Sequence, residues 1–453
     1  MQEFRMLSTS GILGYGYAEE SLRIGMSWEP HVIGCDGGST DPGPYYLGAG
    51  KSFCSRLSVK RDLRLMLLAA TAAKIPCIIG TSGGAGGEPH LQDTAALVRE
   101  IAREEGLSFK MALIHAEQSK ESLIERVNAG LSKPLAKMKP LDEATIRRAE
   151  RIVGMMGPEP FMRALDNGAQ VILAGRSSDP AQWAGPAIRA GMNPAPSWYA
   201  GKMLECGAEP TVPKEPDCIF LRVRDDHIIC EPPNPIRRST PLAVANFALH
   251  ENSSPIHHVE PGGLLDTSAV TITAVSDRAV KVDGMTWTPA EQYTIKLEGV
   301  ERAGYRAISI CGTRDPVLIG QIDSYLETHR NKVAAKAAAF GVPPEDYQLV
   351  VRTYGKDGVM AAWEPQKEIT SHELGFVIEV LGRTQDIANA VLAMARTSML
   401  HADFPGRLCK EGNMAFPFSP SDIELGPMFR FSVFHTVAPK DPCEMFPIEY
   451  EMV

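Results

Sequence analysis

Pro76-Cys77-Ile78-Ile79 runs straight into Gly80-Thr81-Ser82-Gly83-Gly84-Ala85-Gly86-Gly87, and a helical stretch follows over Glu88–Glu105. A short apolar run without alternation suits a strand buried on both faces. A glycine cluster and then a helix is the strand–loop–helix unit of an α/β sheet. The same pattern recurs along the first half. Arg5–Leu7 leads into Ser8–Gly16 and a helical stretch to about Arg23, and His31–Gly34 leads into Cys35-Asp36-Gly37-Gly38-Ser39-Thr40-Asp41. Phe109–Ile114 ends at His115-Ala116-Glu117, and Ala169–Ala174 leads into Gly175-Arg176-Ser177-Ser178-Asp179, then helix Pro180–Ala190. The expected fold is α/β, a mostly parallel sheet with Gly-rich loops at strand ends and right-handed crossovers. The segment Gln118–Pro158 reads as helix-rich, split near Lys133-Pro134.

The second half differs in texture. Thr267–Val275 and Ala279–Val282 alternate apolar and polar residues, and Tyr305–Cys311, Tyr347–Tyr354 and Glu373–Leu381 read as strands. Asp315–Phe340 and Thr384–Leu400 read as helices. This predicts a C-terminal α+β portion. Pro-rich patches at Glu209–Pro216 and Glu231–Pro235 mark a boundary. The expected domains are 1–235, binding ligand, and 236–453, with a sub-module at 345–453 and the site between the two.

Composition narrows the function. The chain has 453 residues, Lys plus Arg 46 against Asp plus Glu 55, and a net charge of −9. An acidic balance argues against nucleic acid or an anionic membrane as partner. Gly 40 and Pro 34 exceed ordinary usage and predict many loops of special geometry. Nine scattered cysteines with no CxxC suit reduced, buried thiols. The N-terminus lacks a secretory pattern, and Lys74 interrupts the best apolar stretch, Leu65–Gly80. A cytoplasmic protein is expected.

Ligands of open α/β sheets bind outside the carboxyl ends of the strands, where helix N-termini offer free N–H groups. The Gly, Asp and Ser clusters all fall at that edge. Gly80–Gly87 is read as a loop whose N–H groups hold a carboxylate, phosphate or thioester carbonyl through Thr81, Ser82, Gly83 and Gly84, or as a tight structural turn. Gly80-Thr81-Ser82-Gly83-Gly84 also fits the GxSxG nucleophile elbow, although five residues separate Ser82 from the helix start at Glu88. Gly48-Ala49-Gly50-Lys51-Ser52 resembles a Walker A end, but Tyr45 replaces the required glycine and no strand precedes it.

Asp36 and Asp41, with Ser39 and Thr40, form a hydroxyl-bearing acidic loop. Asp36 is read as a general base or substrate hydrogen-bonding group, or as the acceptor of an Asx-type turn. Asp179 is read as catalytic or as a helix cap. Arg176 suits a carboxylate or phosphate, or a surface ion pair. Ser177 and Ser178 would orient the same group. His115 and Lys356 are further candidate substrate contacts. The eleven histidines show no HxH or HExxH, so no metal and no cofactor is expected.

Three stretches carry a family resemblance: Gly34–Asp41, Ile79–Gly87 and Gly168–Pro180. Tyr199-Ala200-Gly201-Lys202-Met203-Leu204-Glu205-Cys206-Gly207-Ala208 and Val259-Glu260-Pro261-Gly262-Gly263-Leu264 extend it. On these residues the chain resembles the acyclic terpene utilisation family of AtuA-like proteins over roughly 1–340. The resemblance implies a cytoplasmic catabolic protein of carboxylic acid and acyl-CoA chemistry. It also implies a small AtuA-like ferredoxin-fold partner, separate or fused. The tail from about 345 is then either the chain's own α+β module or the docking place for that partner.

The expected activity is a lyase of hydratase or dehydratase type acting on a small carboxylic acid or its CoA thioester. Gly-loop N–H groups would stabilise an enolate-like oxyanion, Asp36 or Asp41 would move the α-proton, and Arg176 would hold the carboxylate. The alternatives are a serine-type hydrolase using Ser82 and a non-catalytic CoA- or acid-binding subunit of a larger complex. Expected partners are the substrate, further copies of the chain and the ferredoxin-fold protein.

Overall fold

A computed structural model describes residues 2–249, 251–408 and 411–453. The chain forms two compact units: the stretch up to Glu301 together with Phe431–Val453, and Arg302–Arg430. The Pro-rich stretches at 209–216 and 231–235 fall inside the first unit, and residue 345 falls inside the second. The reason for the former is strand pairing. His227–Glu231 pairs antiparallel with Val280–Asp283, so the chain on both sides of the second Pro-rich stretch is tied into one sheet.

The first unit is built on a ten-stranded sheet. Its centre holds β1 (Phe4–Ser8), β2 (Val32–Asp36), β3 (Cys77–Gly80), the strand Val171–Ala174 and β4 (Lys110–Ile114), all parallel neighbours in that order. Antiparallel strands extend both sides. Ile448–Met452 pairs with β4, and Ile219–Val223 pairs with β1 and leads on to three more. The sheet is therefore mixed, not mostly parallel. Hairpins such as Ile219–Val223 with His227–Glu231 need no crossover helix, so they add antiparallel strands at the flanks.

The central strands are apolar on both faces because both faces are covered. Met6, Val32, Ile78 and Ile172 pack with Trp183, Trp198 and Phe161 on one side. Leu7, Ile33, Ile79 and Leu173 pack with Leu63, Leu67, Val98 and Ile101 on the other. Adjacent strand residues point to opposite layers, which explains the two separate cores. Helices Arg56–Ala73 and Glu88–Glu105 cover the second side. Helices Ala181–Arg189 and Pro194–Leu204 cover the first.

Helix Pro194–Leu204 is buried almost all round, with the Trp198 ring stacked on Trp287 at 5.1 Å. Its Gly201 lets it press against the loop after Val171–Ala174. A Cβ there would lie 2.5 Å from the Pro180 carbonyl oxygen. A small sheet of His257–Glu260, Gly263–Asp266 and Thr286–Pro289 also belongs to this unit. Its first hairpin turns at Pro261-Gly262, where Gly262 has φ +86°. Proline followed by a positive-φ glycine is the sequence of a type II turn.

The segment expected to be helix-rich carries strand as well. Helices Lys120–Asn128 and Glu143–Arg148 are present, but Ala149–Met155 is a strand pairing with residues 296–301. That partner lies far along the chain, so no local signal announces it.

The second unit follows the order strand, helix, strand, strand, helix, strand. It uses residues 305–313, helix Ile322–Ala339, Tyr347–Tyr354, Leu374–Gly382, helix Gln385–His401 and residues 422–430. Leu374–Gly382 lies antiparallel between Tyr347–Tyr354 and residues 305–313, and residues 422–430 extend the sheet beyond 305–313. This is the split β-α-β of a ferredoxin-like α+β fold. Its core joins Phe376, Ile378 and Val380 to Leu326, Val333, Val391 and Leu392 from the two helices.

Candidate active site

Three loops meet at the carboxyl edge of the parallel strands. They follow β2 at residues 36–41, β3 at 80–87, and Val171–Ala174 at 175–180. Thr81 ties two of them together: its Oγ1 accepts from the Ser177 N–H at 3.2 Å and from Arg176 Nη1 at 3.4 Å. Arg176 is buried, and so needs compensation on several sides. Its Nε donates to Glu298 at 2.9 Å, and its Nη1 donates to Asp179 at 3.0 Å and to the Ser177 carbonyl at 2.7 Å. Glu298 also receives Lys296 at 2.7 Å and the Thr40 hydroxyl at 3.1 Å. Burial pushes the Glu298 carboxyl upward, but Arg176 and Lys296 outweigh it and hold it at about 2.

A cavity of about 480 Å³ opens beside this knot. Its lining includes Asp41, Arg176, Ser178, Asp179, Lys202, Glu205, His258, Glu260 and Lys296, all from the first unit. Lys202 and Glu205 stand one turn apart at the end of helix Pro194–Leu204 and form a buried ion pair. The Ser178 hydroxyl donates to Glu260 at 2.5 Å. Burial lifts Glu205 to about 8, with Lys202 opposing and Asp179 adding. Burial lifts Glu260 to about 7, with the Ser178 hydroxyl opposing. His258 is buried, its Nε2 has no hydrogen-bond partner among the described residues, and burial followed by the Lys202 charge holds its pKa down.

One cavity thus presents two carboxyls whose pKa burial lifts toward neutrality, beside a lysine and an arginine. General acid–base chemistry needs groups poised in that range. Among the described residues no group of three or more His, Cys, Asp or Glu is arranged to hold a metal ion.

The sequence-derived candidates divide. Arg176, Ser178, Asp179 and Asp41 line this cavity, with Asp41 accepting from the Ser39 hydroxyl at 2.5 Å. Thr40 and Ser177 support it through Glu298 and Arg176. Asp36 lies buried and does not line it. Its Oδ1 accepts the Gly37 N–H at 2.8 Å, and burial, then Asp179, push its carboxyl well above the usual range against the pull of Arg176.

The 80–87 loop spends much of its backbone on itself. The N–H groups of Ser82, Gly84 and Gly86 donate to the carbonyls of Ala174, Thr81 and Ser82. The Ser82 hydroxyl is buried with no hydrogen-bond partner among the described residues, so no base is aligned with it. Gly83 lines a different cavity. His115 pairs with Glu88 at 2.8 Å and lies outside the lining. Lys356 belongs to the second unit, where Asp357 and Asp323 hold its ammonium at 2.7 and 3.0 Å.

Sequence reasoning did not assign roles to Lys202, Glu205, Glu260 or Glu298. For the first two the signal was present: a Lys and a Glu three residues apart at the end of an otherwise apolar helical stretch. Charges there are buried and need a reason.

These features define an α/β protein with a polar cleft of buried carboxyls and cations at the carboxyl edge of its central strands. The family model described as acyclic terpene utilisation family protein AtuA matches residues 58–213, and over that stretch the chain is similar to that family. The stretch carries the 80–87 loop, Arg176, Lys202 and Glu205, while Glu260 and Glu298 lie beyond it. No curated protein and no solved structure matches the chain. No helix among the described residues is long and apolar enough to cross a membrane.

Proposed function

We propose that the chain is a catabolic enzyme, a lyase of hydratase or dehydratase type, acting on a small carboxylic acid or its CoA thioester. The observation that carries this reading is the pair Glu205 and Glu260, two buried carboxyls on one cavity whose pKa burial raises. In the dehydration direction Glu260 takes the α-proton, the Cα–H electrons form the C=C bond, and the β-hydroxyl leaves as water with a proton from Glu205. Lys202 and Arg176 face the developing enolate charge. Asp41 and Asp179 shape the polar wall. The family description, acyclic terpene utilisation, supports a branched substrate drawn from catabolism.

The ferredoxin-like order of the second unit supports the reading that the chain carries this module itself. A cytoplasmic setting accords with the cysteines, all eight described ones being free.

The test is exchange of the α-proton. The purified protein is incubated in D₂O with a panel of 3-hydroxy and 2-enoyl acids and their CoA thioesters, followed by proton NMR. Exchange or interconversion that vanishes in Glu260→Gln supports the reading. Ligand binding without exchange on any panel member would instead make the chain a binding subunit.

A further inference from the structure

A second cavity, of about 310 Å³, shares no lining residue with the acidic cleft. One wall is apolar: Leu13, Val59, Leu97 and the half-buried Cys54. The polar part of the lining includes Gly50-Lys51-Ser52, the Walker-like stretch that forms no phosphate loop, together with Gly83 of the glycine-rich loop. Much of the backbone of this stretch is already committed. The Gly50 and Lys51 N–H groups donate to Leu47 and Tyr46, and the Phe53 N–H donates to Gly83. These three N–H groups are therefore not offered to a phosphate.

Arg56 is held by Glu100, but the Lys51 ammonium has no ion pair and the Ser52 hydroxyl no hydrogen bond among the described residues. Asp93 stands on the same rim. At about 30 Å³ per small packed group the volume holds about ten heavy atoms. We infer that this cavity binds an aliphatic monocarboxylate of about that size, its chain against Leu13, Val59 and Leu97 and its carboxylate toward Lys51 and Ser52. The inference stands apart from the reaction proposed for the acidic cleft.

Titration calorimetry with octanoate, octan-1-ol and acetate tests it. Octanoate is expected to bind at least about tenfold tighter than acetate, because the chain is buried. It should exceed octan-1-ol about threefold, because Lys51 is exposed and screened. Lys51→Met abolishes the preference over the alcohol, Leu97→Trp fills the chain end and weakens both, and Asp93→Asn tightens octanoate alone. Unchanged octanoate affinity in both Lys51→Met and Leu97→Trp overturns the inference, as does loss of binding in Glu260→Gln alone, which would place the ligand in the acidic cleft. Lys51 lies on the surface, so its variant folds whatever becomes of Leu97→Trp.

Discussion

The Ser178 hydroxyl donates to the Glu260 carboxylate at 2.5 Å, linking a loop at the edge of the parallel sheet to a hairpin strand 82 residues further along. That bond lowers the pKa of Glu260 against the burial that raises it. Ser178→Ala removes the opposing effect. The pKa of Glu260 should therefore rise, and the limb of the pH–rate profile that requires ionised Glu260 should move to higher pH. A profile that keeps its midpoint would show that Glu260 does not set that limb.

Glu260 also imposes a pH dependence on stability. Its folded pKa, about 7, lies above the ordinary 4.5, so the folded state holds the proton more tightly than the unfolded chain. The stability this contributes is complete below about pH 4.5 and is lost as pH rises through about 7. Glu260→Gln stays neutral throughout. Its Tm relative to wild type should climb between pH 5 and pH 8, and thermal unfolding in a buffer series reads this directly.

Glu298 works in the opposite sense. Held at about 2, it contributes stability that is present above about pH 4.5 and lost as pH falls toward 2. Glu298→Gln leaves Arg176 and Lys296 short of a counter-charge. Breaking a buried pair from one side costs about 3–5 kcal/mol. Urea unfolding at pH 7 should show a loss of that order, shrinking in acid.

Asp36 should tolerate what Glu298 does not. Burial, then Asp179, push its carboxyl well above the usual range, so its burial disfavours the charge. Asp36→Asn removes that charge at nearly the same shape and keeps an acceptor for the Gly37 N–H. Stability should change by about 1 kcal/mol or less. A large loss of turnover with intact folding would return Asp36 to the reacting groups.

Gly201→Ala tests how the site is positioned. The added Cβ would meet the Pro180 carbonyl oxygen at 2.5 Å and Pro180 Cβ at 2.7 Å. Overpacking of this kind costs about 1–3 kcal/mol. The shift is passed to Lys202, the next residue, and to Glu205. Turnover should fall more than stability alone accounts for, as measured at a temperature well below the variant's Tm.

The sequence makes local units legible and distant pairings obscure. Cys77–Gly80 with its glycine loop, and Val171–Ala174 with Arg176 to Asp179, can be read because strand, loop and helix start are contiguous. Three of the ferredoxin-like strands were legible for the same reason, as apolar runs of ordinary length, whereas the closing strand at 422–430 was not read. Ala149–Met155 was not, because its partner strand begins at Ile295. The acidic cleft was half legible. Arg176, Ser178, Asp179 and Asp41 sit on loops that announce themselves, whereas Glu260 and Glu298 arrive from a hairpin and a strand more than eighty residues later. Lys202 and Glu205 were visible as charges in an apolar helix, but their meaning depends on the close approach that Gly201 permits.

In the second unit the opening segment, 305–313, and the closing segment, 422–430, lie side by side in the sheet. Its entrance and exit are therefore a few ångströms apart, at the spacing of adjacent strands. A piece of chain with such neighbouring ends behaves as a cassette. Its removal or replacement would leave the chain on either side with neighbouring ends to join.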